Sequence, residues 1–272
     1  MRKFLKGPFA VLMTPFKDNK LDEETFIKQI KRINGTGVSG FVVNGSTAEF
    51  IHLSLEEQKR AIKLVADNKD ADKKLIASAC TGNAVDTLDI ANYAKSVGGD
   101  AILVCPPYYF TYTTEQKKQY FLDVADNSPL PVVIYTIPFF TQEMELKSVY
   151  ELFDHKNIIG TKDSSANMKR LMHQLDVAKD KDVAVLTGTD DILISALFAG
   201  CVGSFTAFAA IFPNEISELY AAMDRGDYEK AREIQEFFMP LLRQADSKTF
   251  PFGYKELLGK VMGVKIGNKE VN

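Results

Sequence analysis

The strongest constraint in this sequence is an alternation. Eight short apolar runs are separated by amphipathic stretches of helical length, with no linker or break in composition between them. The runs are Phe9–Met13, Phe41–Val43, Lys74–Ala79, Ala101–Cys105, Val132–Tyr135, a run beginning at Ile158, Val183–Leu186 and Val202–Phe205. A short run that is apolar at consecutive positions reads as a strand buried on both faces, and parallel strands of that kind need helical crossovers. The intervening segments supply them. Phe26, Ile27, Ile30 and Ile33 form one stripe, Ser54 and Glu57 form a capping box, and helices are predicted over 84–97, 115–125, 146–153 and 167–178. Asp190 is read as the cap of a helix running to Ala199. Eight such repeats predict an α/β protein built as a closed (β/α)8 TIM barrel, because a doubly wound sheet usually carries fewer. Three further helical segments, 215–223, 228–242 and 254–262, exceed what one barrel needs. The expected division is therefore a barrel core over 1–210, with the last barrel helix and a short C-terminal helical extension over 211–272.

Composition narrows the partners. A net charge of -3 over 272 residues gives no reason to expect nucleic acid or an anionic membrane surface. No apolar stretch approaches membrane-spanning length, and the basic start has no signal-peptide core, so a cytoplasmic protein is expected. Cys80, Cys105 and Cys201 are far apart in the chain and sit in or beside apolar runs, as reduced core thiols do. Gly35, Gly37 and Gly40 spell the dinucleotide fingerprint, but they follow a helix and precede a strand, the reverse of its required context. A helix cap and turn is the expectation there.

A barrel carries its chemistry at the C-terminal ends of its strands. Those ends hold Ser46, Thr47 and Glu49 after the second run, and Tyr108 and Tyr109 after the fourth. Tyr135 ends the fifth, Lys162 the sixth, Gly188 follows the seventh and Phe205 ends the eighth. Lys162 is the unusual choice, since burying an ammonium costs several kcal/mol. Schiff-base chemistry with a carbonyl needs an amine nucleophile in such a place, whereas a lysine of no chemical purpose would snorkel to the surface. A tyrosine can move the proton, and hydroxyls with loop amides can hold a carboxylate. His52, His155 and His173 lack metal-ligand spacing, so no metal site is expected.

Three motifs in order carry a family resemblance that covers nearly the whole chain. They are Gly45-Ser46-Thr47-Ala48-Glu49, Tyr135 with Pro138, and Gly160-Thr161-Lys162. The sequence resembles the N-acetylneuraminate lyase/dihydrodipicolinate synthase family of class I, pyruvate-dependent aldolases. The resemblance implies Lys162 as the Schiff-base nucleophile, Tyr135 as proton shuttle and the loop with Ser46 and Thr47 as holder of the pyruvate carboxylate. It implies that the hydroxyl of Ser46 or Thr47 orients Tyr135, and that Tyr109 reaches into a neighbouring subunit of a homotetramer, a dimer of dimers. Gly188, Phe205 and Phe140 are the further expected substrate-binding positions. No cofactor is needed in such a mechanism, because the protonated imine is the electron sink. Three departures bear on substrate: Ala48 replaces a glycine, Thr136 an asparagine, and Phe140 stands where dihydrodipicolinate synthases carry an arginine. The expected activity is cleavage of a 2-keto-3-deoxy sugar acid, such as 2-keto-3-deoxygluconate, to pyruvate and an aldehyde in carbohydrate metabolism. N-acetylneuraminate lyase, dihydrodipicolinate synthase and a non-catalytic keto-acid-binding barrel are the alternatives.

Overall fold

A computed structural model describes residues 3–270. Its principal strands are β1 (Gly7–Val11), β2 (Gly40–Val43), β3 (Lys74–Ser78), β4 (Ala101–Val104), β5 (Val132–Thr136), β6 (Ile158–Asp163), β7 (Ala184–Thr187) and β8 (Gly203–Thr206). They form a closed barrel in the order β1-β8-β7-β6-β5-β4-β3-β2, the (β/α)8 architecture the alternation predicts. Helices α1 (Glu23–Ile33), α2 (Leu55–Asn68), α3 (Ala84–Ser96), α4 (Thr114–Asn127), α5 (Leu146–Leu152), α6 (Met168–Ala178) and α7 (Leu193–Ala199) follow the first seven strands. After β8 come α8 (Phe208–Ile211), α9 (Pro213–Asp224), α10 (Tyr228–Asp246) and α11 (Phe252–Met262).

The helix starts are chemically specified. Asp22 accepts from the Thr25 amide, and Ser54 with Glu57 closes the capping box expected at α2. A second box, Thr113 with Gln116, opens α4. Asp190 departs from its expected role. Helix α7 begins at Leu193 behind Ile192, with no side-chain cap, and it is the Asp190 carbonyl that receives the Leu193 amide, at 3.4 Å. The glycine cluster is a turn: Asn34 ends α1, Gly35 takes the left-handed conformation and Gly40 opens β2.

Two compact units make up the chain. In the first, Ile76–Phe205 with the stretch through Gly7, neighbouring strands pair in parallel at a constant offset from β3 to β5. The offset changes once, between β5 and β6: Val132 faces Ile158, but Val133 faces Gly160, so Ile159 is an extra residue. In the second unit, Pro8–Leu75 with Thr206 onward, Phe208, Phe212 and Phe238 stack edgewise and tilted in one aromatic cluster. Helix α10 runs straight through Pro240. Phe16–Lys17 and Lys20–Leu21 form a small antiparallel hairpin, to which Gly267 is bridged at Phe16.

Candidate active site

Strands β5 and β6 set the central pair of the first unit. Past the extra residue Ile159 the register places Tyr135 against Lys162, and directly opposed residues of parallel strands point to the same face. Lys162 Nζ lies 4.1 Å from the centroid of the Tyr135 ring. The two residues are only 4% and 3% exposed, so the amine sits in a dry environment beside a phenol.

The neighbouring residue fixes that strand end. Asp163 points the opposite way from Lys162, and its buried carboxylate accepts from the Ser165 amide at 2.8 Å, Arg170 Nε at 3.1 Å and Gln174 Nε2 at 2.5 Å. Arg170 and Gln174 are four apart on α6, which puts them on one helix face. The same guanidinium donates to the Met144 carbonyl at 2.8 Å and pairs with Glu143 at 2.8 Å. One arginine thus ties the end of β6 to the segment after β5.

Gly188 has a more restrictive place than a binding loop requires. A Cβ built there would stand 2.6 Å from Lys162 Cε and closer still to Ser164 Oγ. The Gly188 amide donates to the Asp163 carbonyl at 2.7 Å. The glycine therefore leaves the space in which the Lys162 stem lies.

Cys80 and Cys105, remote in sequence, are together. The Cys105 amide donates to Cys80 Sγ at 3.2 Å, and the Ser78 hydroxyl to the same sulfur at 3.4 Å. Burial works to raise the Cys80 thiol, but hydrogen bonds from Cys105 and Ser78, helped by the charge of Lys162, bring it below the ordinary value. Its hydrogen bond to Cys80, reinforced by burial, pushes the Cys105 thiol far up. Half-buried Tyr108 donates to the Cys80 carbonyl at 3.2 Å, and burial pushes its phenol up to about 12.

The aromatic residues expected near the substrate divide. Phe205 is fully buried at the end of β8. Tyr109 is 91% exposed, in the left-handed conformation, with its ring edge-on to Phe110. Phe139 and Phe140 also stand exposed, on the turn after Pro138.

In the second unit, Ser46–Ala48 form a single tight helical turn that starts at Gly45. Thr47 Oγ1 donates to the Leu12 carbonyl at 3.2 Å, and Asn44 and Glu49, on either side of the turn, both have positive φ. Ala48 is outside that region, so its replacement of a glycine carries no backbone strain. Glu49 is held by buried Lys255 and by the Lys269 amide at 3.2 Å; Lys255 also donates to the Gly267 carbonyl at 2.9 Å. Burial holds the Lys255 amine below the ordinary lysine value against the pull of Glu49. Among the described residues no three His, Cys, Asp or Glu side chains are grouped to hold a metal ion, and no helix is long and apolar enough to cross a membrane.

Known proteins resemble this chain in sequence and fold. The Dihydrodipicolinate synthetase family matches residues 4–270. A 4-hydroxy-tetrahydrodipicolinate synthase of Bartonella bacilliformis is 34% identical over 260 residues, which cover 94% of this chain and 88% of the relative. A crystal structure of dihydrodipicolinate synthase superposes with a TM-score of 0.90 at 31% identity, covering 98% of this chain and 92% of the other. A 2-keto-3-deoxygluconate aldolase from Picrophilus torridus gives 0.88 at 25% identity and covers 98% of both chains. A match over nearly the whole length, with a lysine and a tyrosine side by side at the ends of β5 and β6, places this chain in the dihydrodipicolinate synthetase family of class I, pyruvate-dependent carbon–carbon lyases.

Proposed function

We propose that Lys162 forms an imine with pyruvate and that the resulting enamine condenses with aspartate semialdehyde to give 4-hydroxy-tetrahydrodipicolinate. The observation that carries the chemistry is the buried Lys162 amine 4.1 Å from the Tyr135 ring. The amine attacks C2 of pyruvate, water leaves, and the protonated imine acidifies C3, whose proton Tyr135 is proposed to take. C3 of the enamine then bonds to the aldehyde carbon, whose oxygen takes up a proton, and the amino group of the condensed chain displaces the Lys162 amine from C2 as the ring closes. Ser46 and Thr47 are proposed to hold the pyruvate carboxylate, a role supported by the likeness of their loop and by its tight turn. Gly188 is proposed to act by leaving room for the Lys162 stem rather than by touching substrate. Phe205 is proposed as an apolar wall.

The choice of aldehyde rests on the relatives, since the Bartonella bacilliformis protein is a 4-hydroxy-tetrahydrodipicolinate synthase. That favours the synthase over the sugar-acid cleavage expected from sequence. One observation favours the second reading, cleavage of 2-keto-3-deoxygluconate. The turn that would meet a second carboxylate carries Phe139 and Phe140. The two buried cations that reach the next segment are engaged, Lys117 on the Glu143 carbonyl at 2.9 Å and Arg170 on Asp163 and Met144. A carboxylate is best held by paired charge-assisted hydrogen bonds, which phenylalanine cannot give. Steady-state rates for both substrates on one preparation decide the matter. A higher kcat/KM for 2-keto-3-deoxygluconate would overturn the synthase assignment. Exposed Tyr109 supports a homotetramer in which it serves a neighbouring site; sedimentation of the wild type and Tyr109→Ala tests this, and a monomeric wild type would refute it.

A further inference from the structure

The mechanism leaves Cys80 and Cys105 idle, although both lie in the same unit as Lys162. Their proximity follows from strand register. Ile76 faces Ala101, Ala77 faces Ile102 and Ser78 faces Leu103. The same offset, continued past the strand ends, sets Cys80 against Cys105. Hydrogen bonds show that it continues: the Ala79 amide donates to the Leu103 carbonyl at 2.8 Å, and the Cys105 amide to Cys80 Sγ at 3.2 Å. Neighbouring strands stand about 4.7–4.9 Å apart. A disulfide spans Cα separations of about 4.4–6.8 Å, a range that includes this strand spacing. The two thiols also differ in character, because Cys105 donates to Cys80 and is itself driven up. Because its sulfur accepts from the Cys105 amide and the Ser78 hydroxyl, Cys80 is assigned as the nucleophile of the pair and Cys105 as the resolving thiol.

We propose that Cys80 and Cys105 form a dithiol site that a small hydroperoxide oxidises to a disulfide and that a small dithiol restores. In the first step the Cys80 thiolate attacks one oxygen of hydrogen peroxide and the O–O bond breaks. The departing oxygen takes up a proton and leaves as water, and Cys80 becomes a sulfenic acid. The Cys105 sulfur then attacks Cys80 Sγ, and its proton leaves with the sulfenic hydroxyl as a second water. Two thiols lose two electrons and two protons, and one peroxide becomes two waters. Both sulfurs are buried, at 1% and 3% exposure, which selects an oxidant of near-water size over a bulky disulfide such as oxidised glutathione.

The test uses the full chain, reduced and then exposed to hydrogen peroxide. After denaturation and alkylation, peptide mass mapping should find the Cys80 and Cys105 peptides joined with the loss of two hydrogens, and Cys201 alkylated. Dithiothreitol added before denaturation should reopen the link, and oxidised glutathione in place of peroxide should not form it. Cys105→Ser should stop at a sulfenic acid on Cys80, captured by dimedone. If that variant does not fold, Cys201→Ser serves instead and should still form the link. Peroxide that leaves both thiols alkylatable overturns the proposal.

Discussion

Gly188→Ala isolates the space that Lys162 needs. The new Cβ would lie 2.6 Å from Lys162 Cε, where ordinary contact begins near 3.4 Å, so the stem must retreat by about 0.8 Å. Ser164 can relieve its own contact by turning its hydroxyl. The lysine stem has less freedom, with the Gly188 backbone at one place along it and the Tyr135 ring near its tip. A misplacement of that size at a reacting group costs up to about a hundredfold, so imine formation should slow by about 30- to 100-fold. Overpacking should lower stability by only about 1–3 kcal/mol, leaving a folded protein. The assay is the rate of borohydride trapping against pyruvate concentration, read by mass, beside thermal melting. Adding Ser164→Ala removes the softer contact, and the loss should persist. A trapping rate equal to that of the wild type would refute the reasoning, and full rescue by Ser164→Ala would move the cause to the hydroxyl.

Lys162→Ala should abolish trapping and turnover while the melting transition survives; label appearing on another lysine would remove the assignment. Tyr135→Phe should lose about a hundredfold or more in turnover and still form the imine, and near-normal turnover would hand the proton to another group. Arg170→Met leaves the Asp163 carboxylate buried without its cation and should cost about 3–5 kcal/mol in urea unfolding. A midpoint unchanged from the wild type would contradict that network. Burial disfavours the Glu57 charge, but Lys269 and Ser54 outweigh it and hold the carboxyl below 4.5. A folded value below the unfolded one gives stability that is complete above 4.5 and is lost as pH falls through the lower folded value. Amide exchange near Lys269 should therefore quicken in that acidic window, and exchange that stays flat across it would discount the tie. EDTA should leave the rate unchanged, and a loss restored by a divalent ion would point to metal-dependent chemistry.

The barrel was legible because its signal repeats. Each strand is a short run apolar at consecutive positions, and Ser54-Leu55-Glu56-Glu57 announces a helix start by itself. Lys162 was legible for the converse reason, as a charge where a buried strand ends. Features that depend on register or helix phase were hidden. Asp163, Arg170 and Gln174 look like ordinary surface charges and amides until α6 folds back on β6. Cys80 and Cys105 meet only through the pairing offset of β3 and β4. Lys255 reads as one of many helix lysines, yet it is fully buried on Glu49. Asp190 has the composition of a cap, but the chain makes a further turn before α7 begins. Phe139 and Phe140 follow Pro138 in sequence, which says nothing of their exposure.

Were Ile159 paired as an ordinary residue instead of bulging, Tyr135 would face Thr161, and Lys162 would turn to the side that Asp163 now occupies. A shift of one residue exchanges the two faces of a strand. The chemistry therefore has a phase, set one residue before the motif that names it. Loops of such a barrel can gain or lose codons without touching that phase, whereas the loss of Thr161, between the bulge and Lys162, inverts it. Deleting Ile159 should merely remove the bulge, leaving Tyr135 against Lys162 and labelling by pyruvate and borohydride intact, while deleting Thr161 should yield a lysine that ignores both; normal labelling of the Thr161 deletion would refute the phase.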